Sequence, residues 1–335
     1  MLGPMNEGNP FLALQMIAGG YCLPRCLHIV AELGVADALD EAPRTTEELA
    51  QAIDVDAHAL ARVLRLLCAH GVFAAEGRAI VHTPMSRLLR SDHPQSMRAF
   101  ARMLGLDINW RIFESLEQSV RTGHTATQTV APDGYWRYLA EHAEAAGIFN
   151  AAMVGKTHAQ IAGIMASYDF SGFERIGDIG GGSGHLLRAV LNDAAPEAKG
   201  VLFDLPHVIE EDAPLASDRI TLQAGDFFKD ELPACDLYLL MEVVHDWPDE
   251  QATAILGAIR QAAPAGAKLL IIEEMLSGEP GLEWAKVLDI LMLGLLGGRQ
   301  RTLAEYQTLF KAAGFAFNCE IPTGAGASIL EAVVA

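Results

Sequence analysis

His245 is the residue in this sequence best placed for proton transfer. It follows the apolar run Asp236-Leu237-Tyr238-Leu239-Leu240-Met241 and leads into Asp246-Trp247-Pro248-Asp249. An imidazole titrates close to neutrality, so it can take a proton from a reacting hydroxyl and release it again. A second apolar run, Lys268–Ile272, ends at Glu273-Glu274. One of these carboxylates can accept a hydrogen bond from the second ring nitrogen of His245 and so fix its tautomer. Other chemistry lies in Asp178-Ile179-Gly180-Gly181-Gly182-Ser183-Gly184. Backbone without Cβ atoms bends sharply and admits a ligand against it, and the helix behind it offers free N–H groups. The dinucleotide fingerprint G-x-G-x-x-G fails here, because counting from Gly180 places His185 at its last position. Asp-x-Gly-x-Gly-x-Gly fits instead, through Asp178, Gly180, Gly182 and Gly184.

These residues need a scaffold that gathers strand ends. From Ile176 onward strands and helices alternate, which predicts an α/β, Rossmann-like domain with a mostly parallel sheet. Ligands of such sheets bind beyond the carboxyl ends of the strands. Gly200–Phe203 ends on Asp204, at the distance where an acidic side chain accepts ribose hydroxyls. Ile220–Ala224 ends at Gly225-Asp226-Phe227-Phe228, where Asp226 can accept from an adenine amino group and Phe227 can lie on the ring. Asp246 is expected to N-cap a helix from Trp247 to Ala262, with Asp249 in its first turn. Phe315–Ile321 and Ser328–Val334 complete a sheet of seven strands.

The first half reads differently. Leu12–Leu39 is an apolar helical stretch with expected breaks at Gly19-Gly20 and Pro24, and its apolar surface calls for a partner subunit. Thr45 or Thr46 caps a helix with a nearby Glu. A second helix covers Ala57–Ala69, and two short strands follow around a turn near Gly77. That order predicts a winged helix. Its second helix offers only Arg62 and Arg65, and its wing only Arg78, which favours a dimerisation role over DNA binding. Residues from Met97 to Tyr168 are mostly helical. Phe149, Met153, Thr157, Ile161 and Ile164 share one face of the last helix, either as core or as the roof of a ligand pocket.

Composition narrows the classes. The 335 residues are 51% hydrophobic and carry a net charge of −19, spread along the chain. That argues against nucleic acid and anionic membranes as partners. The cysteines Cys22, Cys26, Cys68, Cys235 and Cys319 include no C-x-x-C, which points to a reducing compartment and no structural zinc. Phe11–Gly20 has no basic flank and follows Glu7, unlike a leader peptide, and no apolar stretch reaches spanning length. A cytoplasmic protein is expected.

Jointly these motifs resemble the plant-type, class I small-molecule O-methyltransferases, the caffeic-acid and isoflavone group with its bacterial antibiotic-pathway relatives. The likeness covers nearly the whole chain. It rests on Asp178–Gly184, Phe203–Val208, Gly225–Phe228, His245–Trp247 and Gly297–Thr302. It implies a winged-helix dimerisation domain at residues 1–95, a helical linker and substrate-pocket region at 96–170, and an S-adenosylmethionine-binding catalytic domain at 171–335. The expected assembly is a homodimer swapped through the N-terminal region.

The cofactor implied is S-adenosyl-L-methionine, with S-adenosyl-L-homocysteine as product and no metal. By the resemblance it is held by Asp178, Gly180, Gly181, Gly182, Gly184, Asp204, Leu205, Asp226, Phe227 and Thr157. His245 is the implied general base and Glu273 its acidic partner. Gln300 stands where the family usually has a second Glu, so one carboxylate and one amide are expected to flank the ring. Met241 stands where Lys or Arg is common. Phe149, Met153, Asp246 and Met292, with Met275, Leu288 and Leu295 similar in character, suggest a small, flat, apolar and aromatic metabolite as acceptor. Two other readings fit parts of the chain. One is a family member doing hydroxylation or decarboxylation, against which the retained His245 argues. The other is a winged-helix ligand-sensing regulator, against which the poorly basic second helix argues.

Overall fold

A computed structural model describes residues 9–211, 214 and 216–334; Glu7 lies outside the described residues. Two compact units form. One takes in the chain up to Asp107 together with Glu144–Gly155, and the other takes in Ile108–Ala143 with Lys156 onward. Residues 96–170 are thus divided between the two, and the Ala143–Ser167 helix runs through both.

In the N-terminal unit the helices Pro10–Ala18, Cys22–Glu32 and Val35–Leu39 come first. The expected break at Pro24 does not occur. Pro24 sits in the first turn of its helix, where a missing N–H breaks no intrahelical bond. The second interruption falls at Gly34, which takes a left-handed φ of 66°. Thr45 and Glu48 form a capping box at the start of Thr46–Ala52, and Asp56 caps Ala57–Ala69. Strands β1 (Arg44–Thr45), β2 (Phe73–Glu76) and β3 (Ala79–His82) pair in the order β1-β3-β2. Leu49, Leu60, Leu64, Leu67 and Phe73 make a buried core between helices and wing. The first helix buries none of its residues; Phe11 is 76% exposed and Ile17 62%.

The second unit is a seven-stranded sheet. Its strands are β4 (Arg175–Ile179), β5 (Lys199–Asp204), β6 (Ile220–Ala224), β7 (Leu237–Met241), β8 (Lys268–Glu273), β9 (Phe315–Ala325) and β10 (Ala327–Val334). Their order is β6-β5-β4-β7-β8-β10-β9. All pairings are parallel except those of β10, which runs antiparallel to β8 and β9. The central strands are apolar on both faces, as a sheet covered by helices on both sides requires. Val201, Phe203, Tyr238, Leu240 and Ile271 pack toward the Asp249–Ala262 and Leu303–Ala312 helices. Leu202, Leu237, Leu239, Leu270 and Ile272 pack on the other face against Leu187, Leu191 and Ile164. From β4 the chain builds outward through β5 and β6, then returns to β4's other side with β7. The strand order therefore reverses between β4 and β7, the place where open parallel sheets hold their ligands.

Candidate active site

The loop after β4 is bent by three glycines with left-handed φ: 69° at Gly180, 53° at Gly182 and 60° at Gly184. Gly181 is required for another reason, since a Cβ there would overlap the carboxyl group of Asp178. Gly182 faces open space. Asp178 lies beneath the turn, 1% exposed, so it shapes the bend from behind. Burial, with the Asp204 charge adding to it, pushes the Asp178 carboxyl up to about 7, against a hydrogen bond from the Leu187 backbone. The helix behind the turn is short: His185–Ala189, widening into a π-helical turn at Val190–Ala194.

Asp204, at the tip of β5, reaches this turn. Its Oδ2 accepts from Gly182 N–H at 2.8 Å and its Oδ1 from Leu205 N–H at 2.7 Å. Phe227 borders the same turn, because a Cβ on Gly180 would stand 3.9 Å from its ring. It also packs edge-on against Trp247, with centroids 5.8 Å apart. Asp226 is held by its own loop: Lys229 donates to it at 2.7 Å and Phe228 N–H at 2.9 Å. An open glycine cradle, a carboxylate at its rim and an aromatic face beside it fit a nucleoside-bearing cofactor.

At the tip of β7, Glu242 adopts a left-handed φ of 57°, rare for a side chain with a Cβ. The chain then turns through a 3-10 segment, Val244–Asp246, and the next helix begins at Asp249 with Pro248 as its N-cap residue. Two expectations are corrected here. The helix starts two residues later than Trp247, and Asp246 does not cap it. The tight turn instead swings the Asp246 carboxylate to 3.3 Å from His245 Nε2, and Glu242 Oε2 lies 3.6 Å from the same nitrogen.

His245 is 4% exposed. Its Nδ1 meets the amide nitrogen of Gln300 at 2.9 Å, and the Gln300 Oε1 is buried without a hydrogen-bond partner. Glu273 does not take the second ring nitrogen as expected. Its Oε1 accepts from the His245 backbone N–H at 3.0 Å, and its Oε2 accepts from the Tyr306 hydroxyl. The reason is positional: Glu273 ends β8 directly beside the turning backbone, while the Gln300 loop comes over the ring. The expectation of one carboxylate and one amide is corrected as well, since Asp246 and Glu242 add two carboxylates on the Nε2 side. Burial works to lower the His245 pKa, but Glu273, Asp246 and Glu242 outweigh it and raise the ring to about 9.

The loop over His245 depends on residues with no simple sequence signal for this role. Gly298 is packed so closely that a Cβ there would overlap the carbonyl oxygen of His245, and Arg299 N–H donates to that oxygen at 2.9 Å. Arg301, fully buried, donates to the carbonyls of Val244 at 3.0 Å and Trp247 at 2.7 Å, and to Asp249 at 2.9 Å. Tyr306, Lys156 and Glu242 likewise carry no sequence signal for their places around His245. The run Gly297-Gly298-Arg299-Gln300-Arg301 is the hint the sequence holds for this loop. Met292 is buried in the Trp284–Leu295 helix, and Thr157 is half-buried on the long helix. Phe149 and Met153 pack in the N-terminal unit with Met103, Ile148 and Ala152.

A doubly wound sheet with a glycine cradle and a buried histidine at its reversal point defines a cofactor-dependent group-transfer enzyme. The O-methyltransferase domain pattern matches residues 113–316 and the O-methyltransferase dimerisation domain pattern residues 15–92. The chain belongs to the S-adenosylmethionine-dependent O-methyltransferase family. It is 42% identical over 328 residues to phenazine O-methyltransferase of Lysobacter antibioticus, covering 96% of this chain and 95% of that one. It is 40% identical over 301 residues to 8-amino-8-demethylriboflavin N,N-dimethyltransferase of Streptomyces davaonensis, covering 86% and 85%. An O-methyltransferase from neocarzinostatin biosynthesis, solved with S-adenosylmethionine and 2-hydroxy-5-methyl naphthoic acid, superposes with a TM-score of 0.79 at 32% identity, covering 94% of this chain and 96% of that one.

Proposed function

We propose that this enzyme methylates a hydroxyl group of a small aromatic metabolite, with His245 Nε2 as general base. The observation that carries the reading is one buried imidazole, at the strand tip beside the glycine cradle, with Nδ1 held by Gln300. The cofactor is assigned to Asp178, which shapes the turn from behind, and to Gly180, Gly181, Gly182, Gly184, Asp204, Leu205, Asp226, Phe227 and Thr157, and the acceptor to Phe149, Met153, Asp246 and Met292. S-adenosylmethionine supplies an electrophilic methyl group on a positively charged sulfur.

The residues of the chain account for the proton. A phenol with a pKa near 10 is ionised in only about one molecule in a thousand at pH 7, so a base must act as the oxygen attacks. An imidazolium carries a proton on each nitrogen. The Gln300 amide nitrogen stands 2.9 Å from Nδ1 while its buried Oε1 has no partner; turning the amide over about its last side-chain bond presents Oε1 to Nδ1–H and satisfies both groups. When Nε2 loses its proton, that contact keeps the remaining one on Nδ1 and leaves Nε2 open to accept. Asp246 and Glu242 then stabilise the imidazolium that forms again on proton transfer. Such general-base assistance is typically worth about 10² to 10⁴ in rate.

The dimerisation pattern at residues 15–92, together with the exposed first helix, supports a homodimer assembled through the N-terminal unit. Labelled methyl transfer from S-adenosylmethionine to a panel of phenols, aromatic polyketides, phenazines and anilines tests the acceptor class. His245→Ala is expected to bind the cofactor as before and to lose about two or more orders of magnitude in turnover. Near-wild-type methylation of a phenol by that variant would remove the base assignment. Transfer confined to anilines would redirect the reading to N-methylation.

A further inference from the structure

The base is surrounded by more negative charge than its task accounts for. Glu242 and Asp246 face Nε2, Glu273 holds the backbone N–H, and Glu274 follows at the end of β8. Tyr306, from the Leu303–Ala312 helix, donates to Glu273, and Gln300 meets Nδ1. Arg301 directs its guanidinium to the carbonyls of Val244 and Trp247 and to Asp249. Left uncompensated, such a ring of carboxylates would keep the imidazole protonated and unable to act as a base.

Compensation comes from the long helix. Lys156 Nζ lies 2.6 Å from Glu242 Oε2, the same oxygen that lies 3.6 Å from His245 Nε2. One carboxylate oxygen is therefore shared between an ammonium and the imidazole, and the two nitrogens are at most about 6 Å apart. Both side chains of the ion pair are mostly buried, at 17% and 16% exposure, so water screens this contact far less than one on the surface. A second, independent observation concerns Glu242 itself. Its left-handed backbone is costly for a residue with a Cβ, and such strain persists where the surrounding structure holds it for a purpose.

We propose that Lys156 is a positioning residue for the methyl-transfer site, drawing the Glu242 carboxylate toward itself and cancelling its charge so that His245 can become neutral and accept a proton. This rests on His245 being the base. The Asp246 and Glu274 charges also act on the Lys156 ammonium, so it offsets the cluster as a whole.

The test reads the ring directly, so that it does not depend on turnover. The His245 imidazole, assigned by comparison with His245→Ala, is titrated by NMR in the full-length protein and in Lys156→Met, Lys156→Arg and Glu242→Gln. Loss of a cation about 6 Å away, at an effective dielectric near 20, corresponds to a shift of up to about two pH units. Lys156→Met is expected to raise the ring's pKa by about one to two units and to move the acidic limb of kcat/KM by the same amount. Lys156→Arg is expected to leave both near wild type, and Glu242→Gln to lower the ring's pKa. If Lys156→Met does not fold, Lys156→Gln, which keeps a polar partner for Glu242 without the charge, carries the comparison with the same expected rise. A ring that titrates unchanged in every folded variant that loses one of these charges overturns the proposal. A ring that shifts while the rate limb stays fixed sustains the charge coupling and removes His245 as the base instead.

Discussion

Gln300→Glu would put a carboxylate where an amide now touches His245 Nδ1 at 2.9 Å. Both residues are buried, Gln300 completely. At an effective dielectric near 20, two unit charges at that separation interact by roughly 6 kcal/mol, equivalent to about four pH units. This is an upper limit, because the new carboxyl is itself desolvated. Burial raises the pKa of the neighbouring Glu273 and Asp246, and it will favour the protonated form of the new side chain too. A net rise of about one to two units is expected in the ring, starting from about 9. The sign is fixed by the chemistry. A base must be neutral to act, so raising its pKa moves the acidic limb of the rate profile to higher pH. At pH 8 about one wild-type ring in ten is neutral, against roughly one in a hundred to one in a thousand in the variant. The assay is kcat/KM for labelled methyl transfer between pH 6 and pH 10.5. A ten- to hundred-fold loss at pH 8, recovered as the pH rises, is the expected pattern. An unchanged limb, or one displaced to lower pH, would refute the reasoning.

Three further outcomes are expected. Asp204→Ala removes the acceptor of Gly182 N–H at the cradle rim, and most of the rise in melting temperature caused by S-adenosyl-L-homocysteine should disappear with it. Undiminished product affinity by calorimetry would cancel the ribose assignment. Gly298→Ala forces a Cβ onto the His245 carbonyl, so the loop must shift, at a cost of about 1–3 kcal/mol, and the Gln300–ring contact should be lost. Wild-type urea resistance and wild-type rate in that variant would count against the close packing. Finally, the bare apolar side chains of Phe11, Leu14 and Ile17 should be covered by a second copy. Sedimentation showing a stable, active monomer at micromolar concentration would contradict this.

Much of the frame was legible from the residues alone, because it depends on short-range chemistry. Thr45 with Glu48 fixes a helix start through bonds within one turn, and the glycines after β4 are needed wherever φ turns positive. Continuous apolar runs alternating with helical segments dictate a parallel sheet, and such a sheet brings the ends of β4 and β7 together whatever its loops contain. The partners of His245 were decided by the tertiary structure. Pattern and spacing suggest that Glu273 or Glu274 faces a ring nitrogen and that Asp246 caps a helix. The left-handed Glu242 and the 3-10 turn after it rotate the backbone, so that Glu273 meets the peptide N–H and Asp246 meets Nε2. Local propensity could not foretell this, since a positive φ at Glu is intrinsically unfavourable and is held only by packing at a distance. Lys156 reaches Glu242 from 86 positions away, and Gln300 reaches the ring from 55. No sequence period links such residues; only closure of the sheet and the helices around it brings them into contact.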